Sequence, residues 1–367
     1  MTPEPSELQE LVRTLHQQAA PWLPAGLGSR LDWGPKVSPG SAVVSCQKLN
    51  QILEHSPGDF TVRVQAGTPL VELQAALAHH GQWLAVDAPW GHFSQGSIGG
   101  LVARGLAGGF RQRYLGVRDQ VIGISLLRAD GTAAKAGGQV VKNVAGYDLM
   151  RLLAGSWGSL ALITELNLRT LPIPPERRGL WITGELEGLA TLSKWLLASS
   201  LSPERVDWQR MGNGFWGLLI SLASISSTTL AEQISCLQAK AADFGLGAQA
   251  LERDALETME TEGRGPESGD CNTNQDNPTN PTWLLRLGVK PSGCAELVRE
   301  LSQPNLEALG VVISAGSGLG YAWANGADLA GYKKPKHVWF MPLPRNSIGK
   351  VTKNDLRDEA KKRMEAA

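Results

Sequence analysis

Cysteine and histidine are scarce in this chain. The four cysteines, Cys46, Cys236, Cys271 and Cys294, lie far apart with no CxxC pair. Neighbouring thiols therefore assemble neither a zinc site nor an iron–sulfur cluster, no metal site is expected, and reduced thiols are predicted. The six histidines stand at 16, 55, 79, 80, 92 and 337, so residues 176–326 have no imidazole to act as base or metal ligand. Excess charge of one sign is also missing. Lysine plus arginine and aspartate plus glutamate number 35 each, leaving no overall field to recruit nucleic acid or an anionic membrane. The longest apolar stretch, around 214–225, falls well short of the ~20 residues that span a bilayer. The polar opening MTPEPSELQELVRTLHQQ has no apolar core of a secretory signal. These absences predict a cytoplasmic protein, at most peripheral to the inner face of a membrane through partners.

What is abundant is glycine, 42 of 367 residues, concentrated between 96 and 158. That density exceeds the usual ~7% and marks places where backbone must approach something closely. The length suits two domains. Residues 6–20 have helical spacing ended by Pro21 and Pro24, followed by a strand at 42–45, a helix at 48–55, a strand at 60–64 and a helix at 69–80. A buried strand at 121–127 turns at Ala129-Asp130-Gly131, and a helical piece lies near 149–154. In 160–171, Leu160, Leu162, Leu166 and Leu168 share one face of a strand. Pro172, Pro174 and Pro175 close a first domain, 1–175; an α+β region, 176–326, follows, with strands at 179–184 and 216–221 and helices at 189–199 and 231–244. Residues 260–281 have almost no apolar side chains, and a mobile loop is predicted there.

Known phosphate patterns fail. Gly26-Leu27-Gly28 meets Leu31 where a dinucleotide fingerprint needs its third glycine, and before Gly349-Lys350 Pro344 replaces the first P-loop glycine, while Val351 replaces the hydroxyl. What remains is GLGSR at 26–30 and GSIGGLVARGLAGG at 96–109. Gly99-Gly100, opening an apolar helix, would present unpaired backbone N–H groups suited to a pyrophosphate. Gly26, Leu27, Gly28, Ser29 and Arg30 would add a second nest of donors, so that two loops clamp one diphosphate. Tight turns and close helix packing are the competing explanation of either loop taken alone.

The order of motifs resembles the PCMH-type FAD-binding domain of the vanillyl-alcohol-oxidase family: GLGSRLDWG at 26–34, VQAGTPL at 64–70, DAP at 87–89, GSIGGLVARGLAGG at 96–109 and RYLGVRDQVIG at 113–123. The stretch from 137 to 172 is most similar to the E-type FAD-binding subunits of glycolate oxidase. The resemblance implies an α+β fold: a PCMH-type FAD-binding domain of two α/β subdomains followed by a smaller α+β cap domain. It further implies FAD lying extended, with its pyrophosphate on the 26–30 and 96–100 loops, including Gly96, Ser97, Ile98, Gly99 and Gly100, and with Pro89 beside it. Asn143, Gly146, Tyr147 and Asp148 would lie near the flavin end, and Ile163 would meet adenine or ribose through its backbone. Family members with covalent flavin carry a histidine or cysteine in the first loop; residues 26–34 have neither, so a non-covalent flavin is expected. Lys142, Arg118-Asp119 and His92 are flavin-side candidates or ordinary surface and loop residues, and His79-His80 reads as a solvated helix end rather than a ligand pair.

Oxidising a 2-hydroxy acid requires a cation for the carboxylate and a base for the hydroxyl proton. The D-type catalytic subunits carry a histidine-rich metal motif in the cap, which residues 176–326 lack. The resemblance therefore implies an electron-transferring subunit of glycolate oxidase, partnered by a catalytic D-type flavoprotein and an iron–sulfur F-type subunit. A stand-alone FAD-linked D-lactate or glycolate dehydrogenase and a flavin-free scaffold are the other readings. The last segment, from 327, resembles the extreme end of acyl-CoA synthetases, where the lysine matching Lys350 acts in adenylation; the large nucleotide-binding domain is absent, so no ligase activity is expected.

Overall fold

The computed structural model of the chain describes residues 1–31, 33, 40–89, 96–139, 148–210, 214–265, 282–302 and 308–325. Met1–Asp328 forms one compact unit. Its opening helix, Leu8–Gln17, buries Leu8, Val12 and Leu15, one stripe at helical spacing. It ends before Ala19, whose φ of 50° turns the chain ahead of Pro21. That stripe packs on the short parallel strands Trp22–Ala25 and Ala42–Ser45, through Val44 and Cys46, and on Leu127 and Leu162.

Five strands form a sheet in the order Ile52–Ser56, Thr61–Gln65, Leu162–Arg169, Val121–Leu127 and Ala133–Gly137, every pair antiparallel. The strand 121–127 lies where its apolar run predicts. Residues 48–55 depart from expectation. They contain no helix, and Ile52–Ser56 instead pairs with Thr61–Gln65, because ladder bonds to an adjacent strand outweigh weak local helix preference. Leu160 also departs from expectation. It precedes its strand and is 52% exposed. A register shift between Ser125 and Leu126 leaves Thr164 unpaired in the ladder. The bulge puts Ile163 with Leu166 and Leu168 in the main core, whereas Leu162 joins the core beneath the first helix.

A seven-stranded sheet follows, in the order Gly247–Leu251, Glu176–Thr183, Trp216–Ser224, Arg205–Arg210, Ala308–Ser314, Leu319–Asn325 and Thr282–Gly288. Alternation along Arg205–Arg210 sends Val206 and Trp208 to one face and Arg205, Asp207 and Gln209 to the other, and all five are buried. On the polar face Arg177 pairs with Glu204 at 2.8 Å and Glu260 at 2.9 Å, while Arg205 meets Asp87 of the first region. Glu260 is thus no loop residue: it lies in the helix Arg253–Glu262, where a buried guanidinium partner holds it. The helix takes Glu260–Glu262 out of the predicted mobile loop 260–281, and residues 266–281 lie outside the described residues.

Candidate functional site

A cleft opens between the parallel strand pair and the five-stranded sheet. Its lining includes residues 26–30, Ser97, Gly99, Gly100 and Ile163. The two glycine loops meet at atomic contact. A Cβ on Gly26 would fall 1.9 Å from Ser97 Oγ, and one on Gly96 would fall 2.3 Å from Arg30 Nη1. Gly28 and Gly96 also hold φ of 79° and 84°, a region costly for residues with a Cβ. Ser45 Oγ donates to the Gly26 carbonyl at 3.0 Å and ties the first loop to its strand.

The helix Ile98–Arg104 starts at Ser97, whose hydroxyl accepts from the Gly100 N–H at 3.2 Å. The expectation of free donors at this helix start is corrected by the structure. Ile98 N–H donates to the Thr68 carbonyl at 3.0 Å and Gly99 N–H to that of Ala66 at 2.8 Å. The incoming turn after Thr61–Gln65 therefore consumes them, and glycine at 99 serves this approach, since its Cβ would lie 2.7 Å from the Ala66 oxygen. The uncommitted donors are in the first loop. Among the described residues, no group accepts from the backbone N–H of Leu27, Gly28 or Ser29. Successive N–H groups around a left-handed glycine make an anion-binding concavity.

Positive charge sits beside them. Arg30 is buried, donating to Ser29 Oγ at 3.3 Å and to the Pro89 carbonyl at 2.8 Å. Burial, and then the Arg104 guanidinium, hold Arg30 down at about 10. Arg104 in turn donates to the Arg30 carbonyl at 2.5 Å, and its Cζ lies 4.5 Å from the Trp157 ring centre. An anion in the cleft would relieve the mutual repulsion of the two guanidiniums. Three free donors, two arginines and an otherwise largely apolar wall fit a diphosphate-bearing cofactor. Cys46 also lines the cleft, where burial pushes its thiol up to about 12.

Arg104 and Trp157 lie within the matched stretches 96–109 and 137–172 but are not among the site residues expected from sequence, nor is Cys46. Helical spacing from Ser97 puts Gly100 and Arg104 on one face, a signal that was available. Asp148 caps the helix Leu149–Leu153, accepting from Arg151 N–H at 3.1 Å and pairing with its guanidinium at 2.9 Å. Asp119 accepts from Gly116 N–H at 3.2 Å at a helix start. His55 and His80 meet edge to face at 4.9 Å, and no metal-holding cluster of His, Cys, Asp or Glu occurs among the described residues. His92, Lys142, Asn143, Gly146, Tyr147 and Lys350 lie outside the described residues. No described helix is long and apolar enough to cross a membrane.

Residues 3–137 match the family model described as an FAD binding domain. Over 194 residues the chain is 35% identical to "Glycolate oxidase subunit GlcE" of Escherichia coli (strain K12), covering 52% of this chain and 54% of that protein. It is 30% identical over 204 residues to "Glycolate oxidase subunit GlcD" of Bacillus subtilis (strain 168), 55% of this chain and 43% of that one. The matches thus span about half the length of these curated relatives or less. Among solved structures, an alkyldihydroxyacetonephosphate synthase superposes with a TM-score of 0.69 at 13% identity, covering 89% of this chain and 70% of that one. Berberine bridge enzyme from Eschscholzia californica gives 0.58 at 15%, covering 89% and 70%. What the chain shares with known proteins is therefore a mixed α+β fold of this type, within which residues 3–137 match an FAD binding domain.

Proposed function

We propose that this chain is the FAD-binding subunit of a glycolate oxidase type complex, holding its flavin non-covalently and transferring electrons between partners rather than oxidising a 2-hydroxy acid alone. The observation that carries the reading is the cleft, where the free N–H groups of Leu27, Gly28 and Ser29 stand beside the buried Arg30 and the Arg104 guanidinium. The similarity to the Escherichia coli subunit supports the choice of complex. In this reading residues 1–175 hold the cofactor, residues 176–326 act as the cap, and residues 327–367 are an appended tail without ligase activity. Asn143, Gly146, Tyr147 and Asp148 remain its flavin-end residues, and Ile163 its adenosine-side residue. FAD bound there would supply hydride acceptance. The chain's own contribution is to neutralise the diphosphate, through the first loop and the two arginines, and to wall the cleft from water. A D-type flavoprotein and an iron–sulfur F-type subunit are the partners, supplying the substrate base and the onward electron path.

The test is an absorption spectrum before and after denaturation, then anaerobic glycolate. A flavin spectrum, full release of flavin on denaturation, and bleaching only with both partner subunits present are expected. Bleaching by glycolate alone would make the chain a self-sufficient dehydrogenase. Failure to take up added FAD would sink the cofactor reading and leave a scaffold.

A further inference from the structure

Trp157 is an unusual residue for its position. Its φ of 59° places a bulky side chain in the left-handed region, a strained conformation that persists only where the surroundings hold it. The surroundings do hold it. Gly155 N–H donates to the Val102 carbonyl at 3.0 Å and Trp157 N–H to that of Ala103 at 2.8 Å, fastening the loop to the end of the Ile98–Arg104 helix. Gly158, at φ 74°, packs so closely on Pro24 that a Cβ there would lie 2.5 Å from the proline ring. The loop is pinned on both sides of the indole.

The indole nevertheless does not enter the core. It lines the cleft and remains 43% exposed, with the Arg104 guanidinium 4.5 Å from its ring centre. One guanidinium therefore separates the aromatic ring from the Arg30 carbonyl, at the end of the loop that carries the free N–H groups. Packing does not require an aromatic here, so the strain and the exposure call for another cause. A flat π surface backed by a cation, beside a diphosphate seat, suits a nucleobase.

We propose that the Trp157 indole is the stacking platform for the adenine of the bound dinucleotide and that, through it, the cleft prefers adenosine diphosphates over bare pyrophosphate. The proposal rests on the FAD-binding reading above. Stacking engages the face of the base and leaves the phosphate contacts of Leu27, Gly28 and Ser29 untouched. The two parts of the ligand are thus separable by substitution.

The full chain, stripped of flavin, is titrated by calorimetry with ADP and with inorganic pyrophosphate, and separately with FAD. Two substitutions remove the ring, Trp157→Ala and Trp157→Asn, the latter chosen because asparagine tolerates the left-handed backbone. Trp157→Phe keeps a smaller ring. The expected result is ADP and FAD binding weakened on the order of tenfold in the ring-free variants, near wild type in Trp157→Phe, with pyrophosphate affinity unchanged throughout. Equal ADP binding in wild type and Trp157→Asn, both folded by circular dichroism, would overturn the platform while leaving FAD binding intact. Parallel loss of ADP and pyrophosphate would overturn it too, by tracing the effect to the loop backbone. A wild type that binds neither FAD nor ADP would overturn the cofactor reading and this inference with it.

Discussion

At the scale of single residues, Gly26 shows how closely the two loops are matched. The space its Cβ would need is already filled by the Ser97 hydroxyl that caps a helix. Gly26→Ala is therefore expected to push Ser97 off its cap and cost about 1–2 kcal/mol, the usual worth of such a cap. In a Ser97→Gly background the same substitution should cost less, because the obstructing hydroxyl is gone. Denaturant melts of the two single variants and the double variant measure that coupling, and strict additivity would refute the contact. Motif order alone picked out Gly26, Gly28, Gly96 and Gly99. It did not reveal which of them offer donors and which merely admit a neighbour. That difference depends on the Thr68 and Ala66 carbonyls, which reach the helix start from another element.

At the scale of elements, the strand Arg205–Arg210 carries a buried ionic face against the first region. Asp87 accepts from Gly108 N–H and Phe110 N–H, both at 3.1 Å, and pairs with Arg205. Arg205→Met would remove the cation that Asp87 and Asp207 share, leaving Glu260 only its Arg177 partner, and a loss of about 3–5 kcal/mol is expected in denaturant melts. Asp207 adds a pH dependence. Burial raises its carboxyl to about 7, with Asp87 and Glu260 pushing the same way and Arg205 opposing. The folded state thus binds the proton more tightly than the unfolded chain. Stability is greatest where both states hold the proton, and it falls as pH rises through about 7. Melting temperatures of wild type should drop as pH rises from the ordinary aspartate value of 3.8 to about 7 and level off above it, and Asp207→Asn should flatten that slope.

Legibility at this scale follows periodicity. The strand at 121–127 stands out as an unbroken apolar run between turn signals, and its bounds hold. The strand at 162–169 is legible only in part, because a bulge at Thr164 breaks the period of two that its leucines suggest. Residues 48–55 mislead because pairing with a neighbouring strand, not local preference, decides their conformation. Glu260 misleads differently, since an acidic residue beside a polar run resembles loop until its arginine partner, 83 positions away, is known.

At the scale of the whole molecule, Met1–Asp328 is compact by itself. A chain ending at Asp328 is therefore expected to fold with a melting temperature within a few degrees of full length and, on the FAD-binding reading, to hold as much flavin as the full chain. Scanning calorimetry and flavin content of the truncated protein check both, and loss of either would show that the final segment supports the fold.

The fastening of the Ile98–Arg104 helix has a kinetic consequence. The N–H groups of Ile98, Gly99 and Gly100 are satisfied by the protein's own carbonyls and hydroxyl, so the helix start draws its order from the chain itself. On the FAD-binding reading, this side of the seat would need little further ordering on loading, and the entropy surrendered there would be small. On the same reading, a protein so fastened would be expected to give up and regain its cofactor without unfolding, at a pace set by diffusion and charge.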